Sequence, residues 1–483
     1  CVPDLRGTQG TFSYYSTRPA SDEHIGGEQI QVERRGTMIR SHLVGPENTV
    51  RAGGGAMTCP FEIEIAAPGR GVLRIGREKL ELIQGRYTPW VRVTFNAGFG
   101  IKVKGICQFL LRSTDPEFEL YVTPIQIDPE KPALPISHPA VYSCYLSKMH
   151  GDYATLGLAE DTWGLNAELL SDDEFLHQCI QADEEREAMF FDALDKTRRG
   201  LCVCVFDGTD RIQHMFWRYI DPGHPAADGQ ASQQHRNAIE ELYSRMDDLV
   251  GRTMRACAGD ETLLMVLSDH GFCAFRRGVD LNVWLEQQGY LKLKPDGRGK
   301  KYLAGVDWSQ TRAYALGLAG IWLNTKGREA QGIVEPADAA TLRAELCEKL
   351  TGLRDDEKDA VAISRAFDAH QVYRGPYKAD GPDIIVGYNK GYRVCWEAAV
   401  GQPTDKLFHD NTKAWSGDHC VDPKLVPGVL FCNRKIGTSI PRLIDIGPTA
   451  LDMFGVNVPG VMDGEPLAVA DADGSFPDNG RDD

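Results

Sequence analysis

The stretch "LLMVLSDHGF" (residues 263–272) sets five apolar residues directly before Ser268, Asp269 and His270. An apolar run of that length, bounded by polar residues, reads as a buried strand. A carboxylate and an imidazole side by side at its end bring charge to a place where charge is costly unless something compensates it. A divalent cation would do so. In open α/β sheets ligands bind beyond the carboxyl ends of strands, which is where this pair falls.

Reading outward, "LCVCVF" (201–206) is a second apolar run of strand length, expected to be buried on both faces. Ser171 and Glu174 in "SDDEF" form a capping box that opens a helix reaching towards Gly200, with Leu176, Ile180, Phe190 and Leu194 at roughly helical spacing. Residues 232–257 carry Ile239, Leu242, Met246, Leu249 and Val250 on one stripe and form a second amphipathic helix before the strand at 262–267. Strand, helix and strand in turn imply a parallel sheet. Further strands are expected at 383–388 and 428–433, and a last helix at 445–455 with Pro448 in its first turn and Gly455 at its end. The polar tail 468–483 is expected to be disordered.

The amino-terminal third has a different rhythm. Between about 20 and 145, "FEIEIAA" (61–67), "GVLRIG" (71–76), "WVRVTF" (90–95), "IKVKGI" (101–106) and "FELYVT" (118–123) alternate with period two, the pattern of antiparallel strands packed on one face. This is a β-rich insertion, closed by the Pro-rich link 128–139.

Composition narrows the function. With 42% hydrophobic and 25% charged residues the 483-residue chain is globular, and its length implies more than one folding unit. A formal charge of −16 argues against a nucleic-acid polymer as partner and requires local cations for any anionic substrate. No apolar run approaches the roughly 18 residues of a membrane span. Thirteen cysteines without a C-x-x-C pair support neither a zinc ribbon nor a tight disulfide framework. The expectation is a soluble protein, cytoplasmic rather than exported; because the chain opens on Cys1 without Met, its natural start and any targeting signal are expected upstream.

Three predicted loops carry metal-capable residues. "DGTDRIQH" (207–214) puts Asp210 and His214 four apart, on one face of a helical turn. Asp269 and His270 follow the strand at 262–267, and His419 sits in "SGDHC" (416–420) shortly before the strand at 428. Asp210, His214 and His419 make a two-imidazole, one-carboxylate set typical of a catalytic divalent site with an open position. Asp269 and His270 supply half the shell of a second ion, and two ions about 4 Å apart can clamp a phosphoryl group. Taken singly, Asp210 could be a helix cap, His419 a loop histidine, and the Asp269–His270–Gly271 run a turn. His224, His235 and His409 are expected to be solvent-exposed.

The ordered set "DGTDRIQH", "LSDHGF" and "SGDHCVDP", with "LNVWLEQQGYL" (281–291), "GPDIIVGYNKGYR" (381–393) and "IDIGPTALDMFGVNVPGVMDGEPL" (444–467), resembles the alkaline phosphatase superfamily, in its branch of type I phosphodiesterases and nucleotide pyrophosphatases. The resemblance spans about 140 to 467. It implies an alkaline-phosphatase-like three-layer α/β sandwich with a mostly parallel central sheet plus the β-rich insertion. The division expected is 1–19 as a remnant of the amino-terminal part of the catalytic domain, 20–145 as the insertion, 146–467 as the metal-binding catalytic domain and 468–483 as the tail. The resemblance also implies two divalent ions, zinc first and manganese as the other candidate, with Asp210, His214 and His419 on one and Asp269 and His270 on the other.

The family's Thr or Ser nucleophile, and the Asp beside it, are expected upstream of this chain; Thr8 and Thr11 are not assigned that role. The implied activity is hydrolysis of a small-molecule phosphate ester, a phosphodiester or nucleotide-like ester before a monoester, through a covalent phospho-enzyme. The alternatives are a phosphomutase of the same superfamily and a non-catalytic metal-binding protein. A sulfatase motif is only mimicked by "CVPDLR" (1–6), in which Arg6 falls one place late. Arg6, Lys390 and Arg393 are candidate phosphate contacts or plain surface charges. Oligomeric state is not legible.

Overall fold

A computed structural model describes residues 2–19, 26–51, 53–227, 233–259, 262–471 and 473–476. The chain divides into two compact units, Cys1–Ile212 and Gln213–Asp483.

The first unit is built from the alternating stretches. Its largest sheet is an antiparallel meander of five strands, Arg34–Arg35, Met38–Glu47, Ala56–Ala67, Arg70–Ile75 and Glu78–Ile83. Burial alternates along it: Phe61, Ile63 and Ile65 face inward from one strand, and Leu73 and Ile75 from the next. Val91–Gly98 and Ile101–Cys107 form a hairpin extended by Gln126–Ile127. A four-stranded sheet runs Phe109–Ser113, Glu119–Val122, Ser13–Ser16, Glu28–Gln31. Phe61, Phe95 and Phe109 are buried in a single core, each worth about 2 kcal/mol of transfer free energy. The Asp172–Lys196 helix starts at the expected capping box, with Ser171 Oγ accepting from Glu174 N and Glu174 accepting from Ser171 N.

The second unit carries a core of residues between Cys273 and Val426. The Cys273–Val279 strand is flanked by Gly391–Val394, parallel, and Phe408–Asp410, antiparallel, while Gly417–Asp418 pairs with its first two residues. A second sheet runs Ala313–Leu316, Gly320–Leu323, Ile384–Tyr388, Ile363–Asp368. Asp280 joins the first sheet to the Leu281–Gln287 helix. Its Oδ1 caps the helix by accepting from Asn282 N and Val283 N, and its Oδ2 accepts from Thr404 N and Oγ1.

Several expectations are corrected. Among the described strand ladders only Ser13–Ser16 with Glu28–Gln31 and Cys273–Val279 with Gly391–Val394 are parallel, so the described residues do not form a mostly parallel central sheet. Met265–Leu267 is a strand, but it pairs antiparallel with Leu430–Cys432. Residues 201–206 are not assigned to any strand, and Leu201, Val203 and Val205 are exposed rather than buried. Apolar residues alone do not bury a run of chain; elements packed over its faces do. The tail begins ordered: Ala470 is buried and donates its N–H to Lys435 O. Residues 472 and 477–483, where disorder was also expected, lie outside the described residues, as does the first residue of the helix expected at 232–257, which runs Ala238–Ala256. The closing helix is Ile446–Met453, followed by Gly455 at φ +67°. No disulfide links the described cysteines. No described helix is long and apolar enough to cross a membrane.

Because Asp280 is fully buried and serves four donors, Asp280→Ala is expected to lower stability by about 2–3 kcal/mol through the lost cap and the stranded Thr404 donors. Urea unfolding followed by circular dichroism measures it.

Candidate metal centre

The centre is organised by the Gly208–Ile220 helix. Its buried residues Ile212, Met215, Phe216 and Tyr219 recur at helical spacing, and Asp210 lies in the first turn, where a carboxylate is favoured by the helix dipole. Gly208 has no room for a side chain, because an added Cβ would lie 2.1 Å from Asp183 Oδ2. Asp210 is half-buried and accepts from Arg211 Nη1 at 2.9 Å. Arg211 Nε lies 3.8 Å from the fully buried Glu160, which burial, then the charge of Asp207, push up to about 7.

His214, one turn beyond Asp210, is 2% exposed. Its Nδ1 lies 2.7 Å from Gly417 O. A carbonyl can only accept, so Nδ1 carries the proton and Nε2 is the nitrogen suited to a metal. The partner comes from a short segment clamped against this helix and against the Cys273–Val279 strand. Ser416 N donates to His214 O at 2.6 Å, Ser416 Oγ accepts from Arg218 N at 2.9 Å, and Phe275 N donates to Ser416 O at 2.7 Å. Gly417 fits so closely that an added Cβ would lie 2.4 Å from Gln213 O.

The segment then delivers His419. Its ring stacks on that of His270 with centroids 3.6 Å apart and planes at 12°, and lies 5.1 Å from that of His214. One ring nitrogen of His270 lies within 4.8 Å of one of His419. Phe272 touches all three imidazoles, at 4.8 Å from His214, 5.3 Å from His419 and 5.7 Å from His270, and forms an apolar wall. Burial, then the neighbouring His270, lower the pKa of His419. A neutral imidazole is the form that binds a cation. Asp269 is two-thirds exposed, with Oδ1 accepting from His270 N at 3.1 Å.

Asp418, His419 and Cys420 also offer ligand atoms within 4.8 Å of one another. Asp418 is already committed: Oδ1 accepts from His419 N and Cys420 N, each at 2.8 Å, and Oδ2 accepts from Trp415 Nε1 at 2.8 Å and lies 3.1 Å from Arg393 Nε. Burial alone would raise its pKa, but Arg393 and the other partners outweigh that and hold it at about 2. Burial, then Asp418, push the Cys420 thiol up to about 12, so a cation binding there would first have to displace its proton. His419 is therefore the group in this trio fitted to a cation.

The structure thus gathers His214, His270 and His419, keeps Asp269 beside His270, and sets Asp210 one helical turn before His214. Within the second unit, ring nitrogens of His270 and His419 lie close enough together to meet at one divalent ion. Phe272, Trp415, Asp418 and Arg393 were not legible as parts of the centre. The Trp415 ring lies against that of His214, with centroids 3.8 Å apart and planes tilted by 32°, and Arg393, read as a phosphate contact or surface charge, is 4% exposed. His224 and His235, expected in solvent, are buried; His224 Nε2 donates to Phe275 O while its Nδ1 accepts from Ala226 N. His409 is half-buried against Thr404. Arg6 pairs with Glu28, and Lys390 is exposed. The hydroxyl of Thr8 donates to Asp4 Oδ2, and Asp4 also accepts from Thr8 N and Thr11 N, so these residues build a turn.

A family model described as Type I phosphodiesterase / nucleotide pyrophosphatase matches residues 89–416, about two-thirds of the chain. The match covers Asp210, His214, Asp269 and His270 and stops just before His419. No curated protein matches the chain.

Gly417→Ala is expected to destabilise the protein by about 2 kcal/mol or more, since backbone must move to admit the methyl group; thermal unfolding of the variant checks it. At the end of the helix, Asp221 accepts from Arg276 Nε at 2.7 Å and Nη2 at 2.5 Å. Burial raises the Asp221 pKa, but the Arg276 hydrogen bonds prevail and the net shift is downward. A carboxyl lowered in the folded state stabilises above its unfolded value, near 3.8, and loses that contribution as pH falls below it. Urea unfolding between pH 6 and pH 3 should therefore show a shallower loss of stability for Asp221→Asn than for the parent.

Proposed function

The chain belongs to the Type I phosphodiesterase / nucleotide pyrophosphatase family, whose members are phosphoric ester hydrolases acting on small phosphate esters, and from that premise we propose that its centre holds two divalent ions. Asp210, His214 and His419 are the proposed ligands of one, and Asp269 and His270 of the other, with zinc as the first candidate. The observation that carries this reading is the meeting of three imidazoles from three separate segments: His214 from a helix, His270 after a strand, and His419 from the clamped loop.

When bound, such ions supply Lewis acidity to a phosphoryl group and lower the pKa of water. The chain's own residues do the rest. Gly417 O holds the His214 proton on Nδ1, which leaves Nε2 as the nitrogen free of a proton. Phe272 packs against the three rings and lines them with an apolar face. Neutral His419 beside His270 avoids two like charges in a stacked pair. The favoured substrates are phosphodiesters or nucleotide-like esters, whose negative charge a chain of net −16 binds only where cations are gathered. No described residue is assigned as nucleophile.

Elemental mass spectrometry of the dialysed protein is expected to find about two zinc or manganese ions per chain. Hydrolysis of aryl phosphate diesters should stop with a chelator and return with the metal, and His419→Ala should weaken ion binding about 10–100-fold or more. A metal-replete protein inactive on both mono- and diesters would overturn the proposal.

A further inference from the structure

Two imidazoles can share one ion only if their rings are held in register, and His214 and His419 both owe their placement to residues 415–419. His214 donates to Gly417 O and packs on the Trp415 ring, while His419 belongs to the segment itself. What fixes the segment is a single carboxylate. Asp418 Oδ1 binds the main-chain N–H groups of His419 and Cys420, and Oδ2 binds the indole N–H of Trp415. One side chain thereby sets both the backbone that presents His419 and the ring that lies on His214.

Asp418 is in turn held by one buried cation. Arg393 lies on the Gly391–Val394 strand, and its guanidinium sits 5.1 Å from the centroid of the Phe275 ring and 4.5 Å from that of Trp396. It is 4% exposed, Asp418 is 2% exposed, and Nε stands 3.1 Å from Asp418 Oδ2. Arg393 Nε and Nη1 are both buried from solvent and make no hydrogen bond, so Arg393 holds Asp418 as an ion pair. Its role is internal. Planarity matters here, because a flat guanidinium can rest on two aromatic faces and still present an edge to a carboxylate, whereas an ammonium cannot.

We propose that Arg393 and Asp418 form a positioning pair that aligns His214 and His419 for a shared ion. The inference rests on the reading of these imidazoles as metal ligands and adds a determinant of ion affinity that touches neither ion nor substrate.

The test is zinc affinity by competition with a chromophoric chelator, together with the cobalt(II) absorption spectrum, whose bands report coordination geometry. The double variant Arg393→Met/Asp418→Asn removes the pair without stranding a buried charge. It is expected to fold, to bind zinc about 10–100-fold more weakly and to show altered cobalt bands. Arg393→Lys should lose less. A merely structural role would lower the thermal midpoint and leave affinity and spectrum of the folded protein unchanged; zinc affinity within about twofold of the parent, with an unaltered cobalt spectrum, overturns the proposal.

Should the double variant fail to fold, Trp415→Phe removes only the indole donor and keeps an aromatic ring by His214. It should weaken zinc binding severalfold and shift the cobalt bands, and an unchanged protein overturns the proposal equally. His419→Ala separates the two levels. If it loses the ion while the double variant keeps it, the pair has no positioning role and the metal centre stands; if it retains parental zinc binding, the centre and the pair fall together.

Discussion

The second unit depends on a glycine that must remain a glycine. Gly417 passes so close to Gln213 O that no side chain fits, and this closeness brings its own carbonyl to His214 Nδ1. With its neighbours Ser416 and Asp418 it pairs with the start of the Cys273–Val279 strand and accepts and donates along the helix that carries His214. A helix and a strand that share no sequence neighbourhood are thus fixed to each other through three residues. The imidazoles inherit their geometry from that backbone contact, which gives the centre the rigidity that metal chemistry needs.

Electrostatics around the centre are layered. Nearest are three imidazoles, of which His419 is favoured in the neutral form by burial and by the neighbouring His270, with a phenylalanine against all three. Behind them lies a carboxylate that would be unstable alone in so buried a place and is kept ionised by Arg393 and by donated hydrogen bonds. Buried ion pairs of this kind contribute little net stability compared with apolar packing. Their value is directional: a carboxylate with several acceptor sites can hold several donors in fixed relation.

Much of this was legible in the chain. The alternation at 61–67, 71–76, 90–95 and 101–106 became strands with alternating burial, because period two has few competing readings when turn residues bound it. The capping box at Ser171 and the closing glycine at Gly455 also read true, being local chemistry. His214, His270 and His419, singled out from the loops that carry them, lie side by side in the structure, and their part as ligands is the proposal made above. What failed was non-local. Residues 201–206 look like a buried strand, but burial is conferred by partners that a sequence does not name. The same holds for parallel against antiparallel pairing of Met265–Leu267, and for His224 and His235, which are buried by residues far along the chain. Arg393 ends one of the stretches that carry the resemblance, yet its burial is set by Asp418, 25 residues later, and by two aromatic rings.

The packing of Trp415 on His214 has an optical side. An indole 3.8 Å from an imidazole emits in an environment governed by the charge that imidazole carries, and its N–H is anchored on an ionised carboxylate. Seven other tryptophans contribute to the total emission, and Trp415 lies against a proposed ligand. The centre therefore contains its own fluorophore, positioned so that a change of charge at His214 alters light output without any added label.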